Sequence, residues 1–157
     1  MDWSEKTTVK KTICLFLCVL LVFAVAQPAL AGQTEKNVTI IQLENGDYIE
    51  VEIVSSLTRA STSSTKTYTY KNSSGVAQWK ALLNGTFTYN GTTSSCTSAS
   101  VAVSIYDNAW YTISKSATKS GSAAYGTVTM GYQTLGVTTT QRTQNLFLLC
   151  DANGNLS

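Results

Sequence analysis

The sequence predicts an all-β fold: a single antiparallel β-sandwich, or a small barrel, behind an N-terminal signal helix. Three observations carry that expectation. Apolar and polar residues alternate with period two in many short runs, and Gly and Asn punctuate those runs at turn-like intervals. Beyond the N-terminus, no stretch of ten or more residues shows the 3.6-residue period of an amphipathic helix. Short strands separated by frequent turns favour packed antiparallel sheets over helical layers.

The chain opens with Lys6, Lys10 and Lys11, then an apolar run from Ile13 to Ala26, then "QPALAGQ". Ala29 and Ala31 satisfy the small-residue rule for cleavage after Ala31, so residues 1–31 read as a secretory signal peptide. The apolar run is short of the roughly 20 residues that a membrane span needs. A secreted, extracellular domain over residues 32–157 is expected, with no membrane contact after cleavage; the alternative is an uncleaved anchor. Cleavage removes Cys14, Cys18 and the single proline, Pro28.

The remaining cations, from Lys36 to Arg142, are dispersed and form no basic stripe for nucleic acid. The chain has no histidine. That absence removes the commonest general base, the commonest metal ligand and every Ser-His or Cys-His nucleophile. The expectation is a protein that is not an enzyme and takes no cofactor and no metal.

The elements follow in order. "VTIIQLENGDYIEVEIV", Val38 to Val54, holds two alternating runs joined by Asn45-Gly46, the preferred pair for a two-residue type I′ hairpin. That loop sets Leu43 opposite Tyr48 and gathers Val38, Ile40, Ile49, Val51 and Ile53 on a core face. "SSLTRASTSST", residues 55–65, lacks periodicity and reads as a polar loop. Thr-alternating strands follow at Thr67 to Tyr70, Thr86 to Tyr89 and Thr127 to Met130, with Thr on the wet face and Tyr, Phe, Val or Met on the buried one.

"NSSG" at Asn72 to Gly75 is a turn into a longer strand, Val76 to Tyr89, with Trp79, Ala81, Leu83, Phe87 and Tyr89 on one face and a bulge or bend at Gly85. Val101, Val103 and Ile105 mark the next strand; Asp107 and Asn108 turn into one holding Trp110, Tyr111 and Ile113. "KSATKSGSAAYG", from Lys115 to Gly126, reads as a flexible connection or a polar edge, and the last strands are Tyr125 to Leu135 and Val137 to Cys150.

Cys96 and Cys150 are the only thiols after the signal, and an even pair in an exported domain is expected to form a disulfide. The alternative is two reduced, buried cysteines. A zinc site lacks further ligands at short spacing, and a Cys nucleophile lacks its base.

Other candidate sites have structural alternatives. Glu44, Asp47, Glu50 and Glu52 make the first hairpin acidic, either as carboxylate pairs for calcium or acid-base work or as a solvated outer face. "DANGN", Asp151 to Asn155, starts like a calcium loop but stops short of its final Glu and reads as a terminal turn. Tyr106, Trp110 and Tyr111, with Tyr125 and Tyr132, offer either ligand-facing aromatics for sugar rings or ordinary core and cross-strand pairs.

The stretches "GTFTYNG", "CTSAS", "KSATKSGSAAYGTVTM" and "LCDANGNLS" resemble a family of small secreted all-β proteins from Gram-positive, often gut-dwelling, bacteria. The resemblance covers residues 67–157 and the signal. It implies export and a bacterial source, and brings no activity, ligand or catalytic residue. The functional expectation is an extracellular or cell-envelope-associated protein that works through its surface, with a cell-wall or host glycan or a surface protein as partner. The alternatives are a small carbohydrate-binding module and a secreted antagonist or toxin.

Overall fold

The computed structural model describes residues 37–58 and 60–157, and the expected signal peptide lies outside them. The described chain runs as eight strands: β1 Asn37–Gln42, β2 Tyr48–Thr58, β3 Ser61–Lys71, β4 Ala77–Tyr89, β5 Ser94–Ile105, β6 Trp110–Ser120, β7 Ala123–Thr134 and β8 Val137–Leu149. They form two antiparallel sheets, one of five strands in the order β1-β2-β3-β4-β5 and one of three in the order β6-β7-β8. Every neighbour in a sheet is also a neighbour in sequence, so each connection is a reversal and no strand crosses over.

The two sheets share one core. Ile49, Val51, Tyr68, Tyr70, Trp79, Ala81, Leu83 and Phe87 from the larger sheet pack with Trp110, Ala124, Val128, Met130, Leu146 and Leu148 from the smaller. Period-two alternation puts these residues on one face of each strand, and the Thr and Ser between them on the other. Complete burial of side chains such as Phe87, Leu83, Met130 and Leu148 contributes roughly 1.5–3 kcal/mol each.

The first hairpin departs from the sequence expectation by one residue. Gln42 pairs Tyr48, Ile41 pairs Ile49 and Thr39 pairs Val51. The loop is longer than Asn-Gly alone: the Gly46 amide bonds the Leu43 carbonyl (3.0 Å), the Leu43 amide bonds the Asp47 carbonyl (2.9 Å), and Gly46 sits at φ +83°. This is a three-residue loop, a turn followed by a left-handed glycine. A one-residue slip moves a whole strand's side chains to the other face. Thr39, Ile41 and Leu43 therefore share the inner face with Ile49, Val51 and Ile53, while Val38 and Ile40 point outward and stand 47% and 55% exposed.

Of residues 55–65, expected as a loop, 55–58 and 61–65 belong to the outer half of a long β2–β3 hairpin. Ser55 pairs Ser64, Ser56 pairs Ser63, and Thr58 pairs Ser61. The inward hydroxyls are tolerated because they are bonded: Ser64 Oγ donates to the Val54 carbonyl (3.0 Å) and Thr62 Oγ1 to the Ser56 carbonyl (3.2 Å). The segment from Lys115 to Gly126, expected as a flexible connection or a polar edge, is likewise ladder, with β6 and β7 meeting at a turn through Gly121. The bulge expected near Gly85 falls between Thr86 and Phe87.

Candidate functional site

The turns that join β1 to β2, β3 to β4, β5 to β6 and β7 to β8 lie at one end of the sheets, because every strand reverses. They enclose a cleft of about 410 Å³. Asn45 comes from the first turn, Asn72 from the second and Asp107 from the third, while Thr140 and Arg142 come from β8. Tyr70, Gln78, Trp110 and Tyr132 complete the lining from the strand ends.

Asp47 organises this end. Its carboxylate accepts from the Tyr70 hydroxyl, from Asn45 Nδ2 (2.6 Å) and, through Oδ1, from the Ser73 amide (2.9 Å), which ties the first turn to the second. Arg142 Nη2 stands 3.7 Å from Oδ2. Burial acts to raise the Asp47 carboxyl, but the hydrogen bonds from Tyr70, Asn45 and Ser73 and the Arg142 charge outweigh it and hold the group below its ordinary range. Burial pushes the Tyr70 hydroxyl up, and its bond to Asp47 adds to that.

Arg142 lies over the Tyr70 ring, its guanidinium carbon 4.9 Å from the centroid. It also lines a second recess of about 250 Å³ with Leu43, Ile49, Trp79 and Gln144. Arg142 Nε and Trp79 Nε1 are buried and have no hydrogen-bond partner. Behind the cleft, Tyr70, Trp79, Trp110 and Tyr132 form a chain of ring contacts, with Trp110 edge-on to Tyr70 (5.3 Å), Trp79 (6.2 Å) and Tyr132 (5.2 Å). The arrangement offers amides, a carboxylate, a guanidinium and aromatic edges to one small polar guest.

Of the aromatics singled out from sequence, Trp110 and Tyr132 meet in the cleft wall, whereas Tyr106 and Tyr111 are not part of it. Trp110 is in the cleft wall but only 6% exposed. Tyr111, its neighbour on β6, turns to the opposite face, where its ring lies over Gly131, 2.5 Å from where a Cβ would stand, and its hydroxyl meets that of Thr138. Tyr106 is 53% exposed and carries the Lys80 ammonium 5.9 Å from its ring centroid. Trp79 and Trp110 are both buried and inclined at 61°, so they make no flat platform for a sugar ring.

The acidic hairpin divides. Glu50 on the outer face bonds Lys71 Nζ at 2.9 Å, whereas Asp47 is buried. In "DANGN", Asp151 Oδ1 accepts from the Asn153 and Asn155 amides, which closes a terminal turn. Sequence reasoning missed Asn45, Tyr70, Gln78 and Arg142 as site residues. The signal available was the parity of the turns, since alternate turns of a reversing chain share one end.

Cys96 and Cys150, expected as a disulfide, are free buried thiols in this structure. Each sulfur is satisfied locally, Cys96 by the Ser98 carbonyl (3.2 Å) and Cys150 by the Asp151 carbonyl (3.5 Å). Their backbones are nonetheless gathered at one turn: the Cys96 amide bonds the Gly121 carbonyl (2.8 Å) and the Cys150 amide the Ser122 carbonyl (3.0 Å). Burial pushes both thiols up, and Cys150 is raised further by Asp151 and by Cys96 itself. Comparison of the chain with protein families, with curated proteins and with solved structures finds no match.

Proposed function

We propose that this chain is a secreted β-sandwich, a non-enzymatic extracellular or envelope-associated protein of bacterial type, that binds a saccharide-sized polar ligand in the cleft around Arg142. The observation that carries the reading is the cleft itself, in which side chains from three turns and five strands converge on one volume of ligand size. Its mixture of amide, carboxylate and guanidinium groups with aromatic edges complements a ring that presents both hydroxyls and C–H faces. The unpartnered Arg142 Nε supports it, because a buried donor gains most from a guest that accepts its hydrogen bond.

Binding is favoured over catalysis on the state of the carboxylates. Asp47 is held toward its ionised form and its oxygens accept from Tyr70, Asn45 and Ser73, so the carboxylate is engaged in joining the turns and poorly placed to act as a general acid. The test is a glycan-array screen followed by calorimetry on the strongest hit. Arg142→Ala and Asp107→Ala are expected to weaken binding at least tenfold, about 1.4 kcal/mol, with the fold retained by circular dichroism. A screen with no binder, or a binder indifferent to both substitutions, overturns the reading.

A further inference from the structure

We infer that the open edge of β1 pairs with β1 of a second copy of this chain, joining two five-stranded sheets into one continuous sheet. Two sheets have four edges, here β1, β5, β6 and β8. An unguarded edge strand is a template for pairing with another chain, and three of these four are guarded. On β8, the Tyr68 hydroxyl donates to the Phe147 carbonyl and accepts from its amide, both at 3.1 Å, and Ser157 exchanges both backbone bonds with Leu149. β5 is closed against the β6–β7 hairpin by the Cys96 amide and by Lys119 Nζ on the Thr97 carbonyl (2.6 Å). β6 carries Lys115 and Lys119 and a bulge between Thr112 and Ser114.

Among the described residues, β1 has none of these devices. Its sequence, "NVTIIQ", holds no charge, no proline and no glycine, and its ladder with β2 has no bulge. Val38, Ile40 and Ile41 stand 47%, 55% and 44% exposed. On the inner side of this hairpin, beyond the buried Ile49, the residues Thr39, Ile41, Val51 and Ile53 line a recess of about 320 Å³.

The hydrogen-bond phase of the hairpin tells which groups face outward. The Leu43 amide points to β2, so by alternation Ile41 and Thr39 do too, and Val38, Ile40 and Gln42 direct their amides and carbonyls to the open side. Antiparallel pairing about a two-fold axis perpendicular to the sheet sets Ile40 against Ile40 of the second copy and Val38 against its Gln42. All three side chains lie on the outer face, so the faces of the two sheets stay aligned. With no charge on β1, self-pairing meets no like-charge repulsion on the strand itself.

Analytical ultracentrifugation of the purified chain over a range of concentrations tests this. Twice the protomer mass is expected, and Ile40→Lys is expected to weaken association at least tenfold while keeping the native circular dichroism. Hydrogen exchange adds a local readout: the Ile40 amide is expected to be protected in the native protein and exposed in the variant. Should Ile40→Lys fail to fold, Val38→Pro replaces it, because that proline deletes an N–H that β2 does not use. A native protein that stays at protomer mass, or a folded variant that still dimerises, overturns the proposal.

Discussion

At the scale of single residues, Asp47 is the position whose role differs most from its sequence context. It follows the hairpin's Asn45-Gly46 and reads as one more solvated acid, yet it is 8% exposed and holds two turns together. Alternation along the strand does not reveal this, because the partners Tyr70, Ser73 and Arg142 are distant in sequence. The carboxyl is held below its ordinary range in the folded protein, so the stability it contributes is fully present above the unfolded value near 4. It is lost as the pH falls through the folded value. Asp47→Asn is expected to cost about 1–3 kcal/mol at neutral pH, since it breaks a buried charge-assisted set of hydrogen bonds. Urea unfolding at several pH values checks this: the gap between native and variant should narrow below about pH 4. Equal stability at pH 7 would refute the role.

At the scale of elements, turn chemistry decides more than strand propensity. The Leu43–Asp47 loop recurs at Asn72–Val76 and Asp151–Asn155, each with its glycine at positive φ and the same pair of backbone bonds. That repetition explains why the Asn-Gly reading gave the right hairpin and the wrong register. The β7–β8 turn is the true two-residue loop, with Leu135 at φ +50° and Gly136 at φ +78°. Leu135 is 100% exposed, so its side chain gains nothing from packing there while its backbone sits in the left-handed region. Leu135→Asn is expected to raise the melting temperature by about 2–4 °C, equivalent to roughly 1 kcal/mol. A lower melting temperature in a thermal scan would mean that the leucine is held by contacts outside the protomer.

At the scale of the whole molecule, the two sheets are tied through Cys96 on β5, the Gly121–Ser122 turn and Cys150 at the end of β8. Both thiols are buried, so Cys96 and Cys150 are expected to resist alkylation as long as the protein stays folded. Mass spectrometry after treatment with iodoacetamide checks this: no label at Cys96 or Cys150 in the folded protein and label at both in urea are expected. Labelling of either thiol in the folded protein would refute that burial.

The sequence by itself determined that the described chain is strands, roughly where each core strand runs, and that histidine-based chemistry is absent. Tyr68, Tyr70, Trp79, Leu83 and Phe87 were legible as one face because side-chain direction in a strand depends only on the parity of its residues. Only the tertiary structure decided the register of β1, the pairing of the serine-rich hairpin, the unequal widths of the sheets and the convergence of Asn45, Tyr70, Gln78 and Arg142 on one cleft. The physical reason is the range of the forces involved. Alternation is written locally in each strand, whereas register and convergence depend on turn geometry and on packing between residues far apart in the chain.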